Sequence, residues 1–462
     1  MKKIFSLLFL LISANTLFAQ EGIIFDHGTW KEILTKAKQE NKLVFVDVYT
    51  SWCGPCKKMV AEVFPKKEVG DVFNASFINY KIDAEKGEGM QIAKEFGVKS
   101  YPTYLFVNGD GGLVYRSGGY NEAKKFLQEA TIALKEKKDP KPLAKWEDEY
   151  DAGQRSKEFL LGYLKKRATL KAPSAEVIEV LVPQLTPADL LSQEFLTSVI
   201  YSNENIAYVP KGKFFNYVIN HHDEIDALLA KNKNYSLRVL DNGIQQYFIS
   251  DIIAKNKEGM LPVMEAAKKQ VMGLLKADDI ETISKRLRMD YYKGTHNSQK
   301  LIPAALDYVN NGLMKTDIAG MIAADVADYQ KFRQPYLDGK ADSSKVEQWH
   351  TMNRIMANQR VCNFSYNLRE AAEAIYHNVE DKKVLAQAAE WAKKAATYFP
   401  HFSNEAVYAG LLLKCEKKQE AIEMMKKASE DNIIKGKDQQ KMILSNIEKA
   451  EKGEMPEKLW KL

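Results

Sequence analysis

The hydrophobic pattern of this 462-residue chain changes near residue 140. Between residues 20 and 138, short β-type runs alternate with helical ones, whereas beyond residue 141 the β-type runs almost disappear. The stretch 135–142 between the two parts is charged and contains two prolines, which is typical of the end of a packed unit. An α/β domain over residues 20–138 should therefore precede an all-helical region.

Strand and helix patterns in the first part predict the layers of this domain. Apolar and β-branched runs predict strands at residues 43–49, 77–82, 103–107 and 113–116. Helical patterns occur at residues 30–40, 55–64, 90–96 and 121–134. Because helices interleave with strands and the short turn 108–112 joins the last two strands, we expect a mixed sheet covered on both faces.

The second part is predicted to be helical, with an all-helical region at residues 143–380 and tetratricopeptide-like helical hairpins at residues 381–462. Near the C-terminus, residues of a buried helix face recur at the spacing i, i+3, i+4, i+7. They are Ala388, Trp391, Ala392 and Ala395; Tyr408, Leu411, Leu412 and Cys415; and Ala421, Met424, Met425 and Ala428. The first and last sets are 33 residues apart (421 minus 388), which resembles the period of about 34 residues of tetratricopeptide-type repeats. For residues 143–380, an irregular helical bundle is an equal alternative to further repeats.

The first residues indicate the compartment. Lys2 and Lys3 precede an apolar run at residues 4–12, and residues 17–19 form a small-residue cleavage site before Gln20. We expect a signal peptide at residues 1–19, because the apolar run is shorter than the roughly 20 residues of a membrane-spanning anchor. An uncleaved anchor is the alternative. The mature protein is expected to be soluble and either periplasmic or otherwise secreted, in an oxidising space.

The amino-acid composition indicates what stabilises the fold and which class of partner is not expected. The 67 basic and 61 acidic residues give a net charge of +6, and the basic residues are not grouped into runs. This pattern is typical of a soluble surface and does not indicate a nucleic-acid partner. Four cysteines are too few for disulfides to stabilise a chain of this length, so its stability must come from apolar cores.

The motif Cys53-Gly54-Pro55-Cys56 carries the chemistry, because it directly precedes a predicted helix. A thiol at a helix N-terminus faces unpaired backbone N–H groups, which favour the thiolate and lower the pKa of the thiol. Pro55 in the first turn costs no helix hydrogen bond, and the spacing lets Cys56 reach Cys53 in a disulfide. Cys53 is therefore the candidate nucleophile and Cys56 the candidate resolving thiol.

Half of a zinc site is the alternative interpretation of this motif. A structural zinc ion needs two further ligands, and the sequence has no second Cys-x-x-Cys pair. The neighbouring His221 and His222 would point about 100° apart on a helix and could not share one ion. We therefore expect no metal and no organic cofactor.

Residues 43–134 resemble thioredoxin, and more closely the periplasmic thioredoxin-like domains of the thiol:disulfide interchange type. Asp47 lies six residues before Cys53 in an otherwise apolar strand, where the resemblance implies a buried carboxylate that helps move the proton of Cys56. Burial should raise the pKa of Asp47 and suit it to proton exchange near neutrality. An aspartate that only pairs with backbone at the strand end is the alternative.

The resemblance assigns further residues to the site. Three residues would support the cysteines, namely Trp52, Gly54 and Pro55. Residues 98–103 match the family's loop with a cis proline, so the resemblance implies that Pro102 is cis and that Tyr101, Pro102 and Thr103 bind substrate. The backbone of Tyr101 would pair with an extended substrate strand beside Cys53. An ordinary trans proline at the start of an edge strand is the alternative.

Two other positions leave alternatives open. Gly118 and Gly119 fall where the family has a glycine at a close approach, and a simple turn would explain them equally well. Where thioredoxin keeps a lysine near the buried aspartate, this chain has Asn79, and Lys81 lies two positions further on the same strand face. The sequence therefore leaves the route of the proton open.

The two remaining cysteines, Cys362 and Cys415, lie in predicted helices, and Cys415 takes a core position of its helix. We expect both to be buried free thiols. A disulfide between them, which would close a long loop, is the alternative.

The resemblance implies a protein-disulfide reductase or isomerase, whose substrates are protein disulfides or thiols and which exchanges them through Cys53 and Cys56. The Gly54-Pro55 pair resembles that of reducing thioredoxins, and a reductase in an oxidising space would need an electron-donating membrane protein. The alternative is a helical-repeat protein whose tail binds a protein partner, with the thioredoxin-like domain as a redox-sensitive accessory.

Overall fold

The computed structural model describes residues 22–51, 53–98, 100–170, 172, 174–201, 207–277, 279–346, 349–456 and 458–461. The predicted signal peptide and Trp52 lie outside the described residues. The chain divides into two compact units, one up to Gln154 and one from Arg155 onwards. The helix that follows the two prolines of the predicted link belongs to the first unit.

The first unit is an α/β fold whose strands form one mixed sheet. Its elements are α1 (Trp30–Gln39), β1 (Leu43–Tyr49), α2 (Gly54–Glu62), α3 (Lys67–Ser76), β2 (Phe77–Asp83), α4 (Glu88–Glu95), β3 (Thr103–Val107), β4 (Leu113–Gly118), α5 (Ala123–Lys137) and α6 (Leu143–Asp151). The strand order is β2-β1-β3-β4; β1 and β2 run parallel, and the other two pairs are antiparallel. The predicted mixed sheet is confirmed. Helix α3 had not been predicted.

Both faces of the sheet are covered because the central strands are apolar on both sides. Alternate residues of β1, such as Val44 and Val46, pack with buried residues of α1 and α4 in one cluster. The opposite face is aromatic: the ring of Phe45 lies 4.7 Å from that of Phe73 in α3 and 5.7 Å from that of Phe126 in α5. This aromatic face is the one that carries the polar groups of the candidate site.

An extended N-terminal segment, residues 22–28, runs along the free edge of β2. The Asp26 amide donates to the Asn79 carbonyl at 2.7 Å, and the Asn79 side-chain amide donates to the Ile24 carbonyl at 3.1 Å. Asn79 also donates to the side-chain oxygen of Asn74 at 3.0 Å. The residue that replaces the family's lysine therefore holds this segment on the sheet edge.

The second unit contains helices and turns but no strand among its described residues. Its α-helices are α7 (Lys157–Thr169), α8 (Ala175–Leu181), α9 (Pro187–Leu190), α10 (Gln193–Leu196), α11 (Lys213–Leu228), α12 (Tyr235–Tyr247), α13 (Leu261–Leu274), α14 (Ile280–Gly294), α15 (Ser298–Asn310), α16 (Ile318–Leu337), α17 (Trp349–Met356), α18 (Gln359–Asn378), α19 (Lys382–Tyr398), α20 (Phe402–Lys414), α21 (Lys418–Ser429) and α22 (Asp438–Glu451). Short 3₁₀ or π segments occur at Val182–Gln184, Thr197–Tyr201, Phe248–Ile253, Glu258–Met260, Leu313–Lys315 and Ser343–Lys345. The predicted all-helical region is confirmed. In the part of the chain that the structure covers, no helix has both the length and the apolar character needed to cross a membrane.

The regular C-terminal pattern corresponds to packed helices. Most of the predicted face is buried: Ala388, Trp391, Ala392, Ala395, Tyr408, Leu411, Leu412, Ala421, Met425 and Ala428. Lys414 pairs with Glu380 at 2.8 Å and links the end of α20 to the turn before α19. The assignment of these helices to tetratricopeptide-type repeats stays a prediction.

The two cysteines of the second unit are free thiols. Cys362 lies in α18 and is partly buried, and burial raises the pKa of its thiol. Cys415 does not occupy a fully buried core position, because α20 ends at Lys414 and leaves it at the partly exposed end of the helix. Burial still raises the pKa of the Cys415 thiol.

Candidate active site

The two cysteines of the motif form a disulfide at the start of α2. Cys53 is the N-cap residue of this helix, and its sulfur accepts the backbone N–H of Cys56 at 3.1 Å. The two Cα atoms lie 5.3 Å apart. Pro55 stands in the first turn, where a missing N–H leaves no helix hydrogen bond unmade. In the reduced protein, the same amide and the helix dipole would stabilise a Cys53 thiolate.

The disulfide is buried, and the two residues between the cysteines are exposed. Cys53 retains 2% of its surface and Cys56 4%, whereas Gly54 and Pro55 face solvent. A Cβ atom added at Gly54 would meet no heavy atom within 4 Å. Packing therefore does not require glycine at this position.

The proline loop lies at the same end of the sheet as the disulfide. Val48, near the end of β1, is the register partner of Thr103, the first residue of β3. The chain after β1 leads to Cys53, and the chain before β3 contains the Tyr101–Pro102 peptide bond, which is cis. Strand pairing thus brings the predicted substrate-binding residues to the sheet end from which α2 starts.

Two hydrogen bonds of the proline loop are accepted by its backbone carbonyls. Pro102 is buried, and its carbonyl accepts the N–H of Gly119 at 2.8 Å. The hydroxyl of Thr103 donates to the Ser100 carbonyl at 2.7 Å, and Tyr101 is partly buried.

Different structural constraints favour glycine at Gly118 and at Gly119. A Cβ atom at Gly118 would lie 2.8 Å from the carbonyl oxygen of Pro102, which is too close for any side chain without a backbone shift. Gly119 has a φ of +74°, in the left-handed region that favours glycine. Close approach and turn geometry, which were alternatives from the sequence, therefore each apply to one residue.

Asp47 is a buried carboxylate next to a lysine of the neighbouring strand. Asp47 is 2% exposed, and its register partner across β1 and β2 is Lys81. The Lys81 Nζ lies 3.6 Å from Asp47 Oδ2. Loss of water on burial raises the pKa of Asp47 to about 6, and the charge of Lys81 opposes this rise. Oδ1 has no hydrogen-bond partner in the described part of the chain, so the carboxylate is not satisfied by backbone at the strand end.

The sequence had left open whether Lys81 takes part in the site. The Lys81 Nζ lies 4.5 Å from the centre of the Tyr49 ring and 5.7 Å from that of Phe25, which comes from the N-terminal segment. The parallel register pairs Asp47 with Lys81, and it pairs Phe45 with Asn79. The pairing of β1 with β2 was the signal that could have selected Lys81 over Asn79.

Within the described ranges of the chain, side chains that could hold a metal ion do not come together. No cluster of three or more His, Cys, Asp or Glu side chains with the geometry for a metal ion occurs among the described residues. His221 lies 3.4 Å from Glu224, and His222 lies 3.4 Å from Asp223, so both pair with carboxylates close in sequence.

A mixed sheet with a Cys-x-x-Cys disulfide at the N-terminus of the helix after its first strand defines the thioredoxin-like class of thiol:disulfide oxidoreductases. A family model described as "Thioredoxin-like domain" matches residues 30–131. Thioredoxin H4 of Arabidopsis thaliana is 37% identical over 107 residues, which are 22% of this chain and 85% of that protein. A thioredoxin H-type of Oryza sativa subsp. indica is 36% identical over 95 residues, which are 19% of this chain and 70% of that protein. The chain belongs to the thioredoxin family through its first unit.

Among solved structures, a candidate disulphide-isomerase from Bacteroides thetaiotaomicron is 44% identical. The alignment covers 25% of this chain and 94% of that protein, with a TM-score of 0.24.

Proposed function

We propose that the protein reduces or isomerises disulfides of other proteins outside the cytoplasm. The observation that carries the proposal is the Cys53–Cys56 disulfide at the start of α2, with the buried carboxylate of Asp47 on the adjacent strand. Support for the direction comes from the Gly54-Pro55 pair, which resembles that of reducing thioredoxins. The matched relatives are themselves named thioredoxins.

The proposed reaction passes two electrons from the dithiol to the client. The Cys53 thiolate attacks one client sulfur, the client disulfide breaks, and the departing sulfur takes up a proton. Cys56 then loses its proton, with Asp47 as the acceptor, and attacks Cys53. The second client sulfur leaves as a thiolate, and the protein holds a disulfide again. In the proposed reductase role, an electron-donating membrane protein restores the dithiol.

The proposed compartment follows from the N-terminal sequence alone, since residues 1–19 lie outside the described residues. A signal peptide of this length would release a chain that starts at Gln20. Mass spectrometry of the protein recovered from its native compartment should give the mass of residues 20–462. A chain with the intact N-terminus in the cytoplasmic fraction would refute this location.

Trapping the mixed disulfide tests the catalytic assignment. A Cys56→Ser variant should accumulate a covalent complex between Cys53 and its client, because the resolving thiol is missing. A Cys53→Ser variant should form no such complex and should lose disulfide exchange. Both variants are best made with Cys362→Ser and Cys415→Ser, which remove the other thiols. Equal trapping by the Cys53→Ser variant would refute the assignment of the nucleophile.

The helical unit is a second candidate for function, as the part that binds a protein partner. Helix α16 has 20 residues, of which only Asp325 is buried, and its exposed side chains include Ile322, Val326 and Leu337. Ile322 and Val326 lie one turn apart on the helix, and neighbouring exposed apolar side chains are typical of surfaces that contact other proteins. A chain cut after Gln154 should still reduce a generic peptide disulfide but lose preference for the trapped client. Loss of all exchange on truncation would refute this division of roles.

A further inference from the structure

One row of the sheet in the first unit is polar on every strand. Lys81 of β2 pairs in register with Asp47 of β1, Asp47 pairs with Tyr104 of β3, and Tyr104 pairs with Ser117 of β4. Residues that are directly opposite on neighbouring strands point to the same face, with Cβ atoms about 4.5–5.5 Å apart. The four side chains therefore form one line on the aromatic face of the sheet.

Three neighbouring groups in this row lack hydrogen-bond partners. Asp47 Oδ1, the hydroxyl of Tyr104 and the hydroxyl of Ser117 are buried, and none has a partner among the residues described. Tyr104 is completely buried, with its ring 5.8 Å from that of Phe45 and 5.1 Å from that of Phe126. Leaving a buried hydroxyl unpaired is unfavourable. Phenylalanine would fill the same space without this penalty, so the oxygen atom of Tyr104 needs an explanation other than packing.

We propose that the Tyr104 hydroxyl is a positioning group for the disulfide exchange, which donates a hydrogen bond to Asp47 when this carboxylate is ionised. The two groups are not bonded to each other in the structure, so this bond requires one of the two side chains to rotate toward the other. A hydrogen bond to the charged form of a carboxylate stabilises that form. Tyr104 and Lys81 lie on the two strands that flank Asp47. Together they would therefore set the pKa of Asp47. Burial and the charge of Asp47 raise the pKa of Tyr104, so its hydroxyl keeps its proton at neutral pH and can donate it in a hydrogen bond. This inference rests on the proposed role of Asp47 in the exchange.

Other groups on the elements packed around this face must be considered in any titration of Asp47. The charged or titratable ones are Lys81 and Asp83 of β2, Tyr49 of β1, Tyr115 of β4, Glu129 of α5, and Cys53 and Cys56 at the start of α2. Of these groups, Lys81 lowers the pKa of Asp47, against the rise that burial causes. The hydroxyl of Tyr115 already donates to Glu129.

Tyr115 provides a matched control for Tyr104. Both are buried tyrosines on the same face, but Tyr115 pairs with Phe106 in the adjacent row, and its hydroxyl is bound to Glu129. Tyr104→Phe and Tyr115→Phe therefore remove the same atom from the same core. Only Tyr104→Phe should change the pKa of Asp47.

The test is a direct titration of Asp47 in the full-length oxidised protein. Aspartate labelled with ¹³C at its side-chain carboxyl would be followed by NMR from pH 4 to 9, and the Asp47 signal would be assigned by its loss in Asp47→Asn. In Tyr104→Phe, the midpoint should move upward by about one pH unit, as expected for the loss of a hydrogen bond to a charged group. In Tyr115→Phe it should not move. An unchanged or lowered midpoint in Tyr104→Phe would overturn the proposal.

The rate of disulfide exchange separates this inference from the proposed function. At pH below the midpoint, Tyr104→Phe should lower the rate of the step in which Cys56 attacks by up to about tenfold, which corresponds to one pH unit. If the midpoint moves in the NMR titration but the rate profile does not follow, Tyr104 does donate a hydrogen bond to Asp47, but Asp47 is not the proton acceptor and Tyr104 has no positioning role in the exchange. If the protein exchanges no disulfides at all, the proposed function fails, and the titration still decides whether Tyr104 donates to Asp47.

Discussion

Replacing Asp47 with asparagine should stabilise the first unit at neutral pH. Burial raises the pKa of Asp47 from its ordinary value of 3.8 to about 6. Because the folded state holds this proton more tightly than the unfolded state, the contribution of Asp47 to stability is present below pH 4. It is lost as the pH rises from about 4 through about 6. Above that window, the native protein carries the cost of a buried charge.

The size of this cost follows from the shift of the pKa. A shift of about two pH units, at about 1.4 kcal/mol per unit, is equivalent to about 3 kcal/mol at pH 8. Lys81 is partly exposed, so water can solvate its charge when Asp47 is replaced. The loss of this ion pair should therefore offset little of the gain in stability. Asp47→Asn should therefore gain up to about 3 kcal/mol in the free energy of unfolding at pH 8 and almost nothing at pH 4.

Hydrogen exchange measured by mass spectrometry provides the assay, because peptides from β1 and β3 report the opening of the first unit within the full chain. Exchange at pH 4 to 8, corrected for the intrinsic rate at each pH, gives the free energy of opening. Asp110→Asn, on the exposed turn between β3 and β4, is the control and should change stability by less than about 0.5 kcal/mol. Equal pH dependence in Asp47→Asn and the native protein, or a loss of stability at pH 8, would refute the reasoning.

Two further predictions concern the surroundings of the site. Gly118→Ala should destabilise the first unit by about 1–3 kcal/mol, since its Cβ atom would lie 2.8 Å from the Pro102 carbonyl oxygen. Gly54→Ala, where no atom lies within 4 Å, should cost less than about 0.5 kcal/mol, and equal losses for the two variants in thermal unfolding would refute this explanation. Lys81→Met should raise the midpoint of the Asp47 titration by about one pH unit or more, because it removes an opposite charge at 3.6 Å, and an unchanged midpoint would contradict it.

The strands of the first unit could be predicted from sequence because each is a short, nearly continuous apolar run. The bounds of β1 and β3 agree with the predicted ranges 43–49 and 103–107. Helix α3 was missed, because Pro65 follows the predicted helix at residues 55–64 and Gly70 lowers the helical propensity of the stretch that follows. Its burial of Phe73 against the sheet is a tertiary contact, which propensity does not report.

The candidate site was predictable only where local sequence determines it. The disulfide at the start of α2 follows from the spacing of two cysteines and a helix start, both of which are local. The pairing of Asp47 with Lys81 depends on the register of two strands whose paired residues are 34 positions apart in sequence (81 minus 47). The role of Asn79 depends on a third segment, residues 22–28, whose hydrogen bonds no pattern in β2 indicates.

The polar row places polar side chains in a buried part of the first unit, where apolar side chains would be more stable. The same face carries Phe45 and Phe106 in the adjacent row. Phe45 packs against Phe106 and against the helix residues Phe73 and Phe126, which shows the kind of side chain that this environment favours. A cost of about 3 kcal/mol at one carboxylate is a large share of the roughly 5–15 kcal/mol by which a domain is stable. Residues that a fold retains at such a cost are concentrated at sites where proton affinity matters. If Asp47→Asn is more stable at pH 8 and also slower in disulfide exchange, the cost has a chemical reason. If it is more stable and equally fast, Asp47 is not the proton acceptor, and the exchange must deprotonate Cys56 by another route.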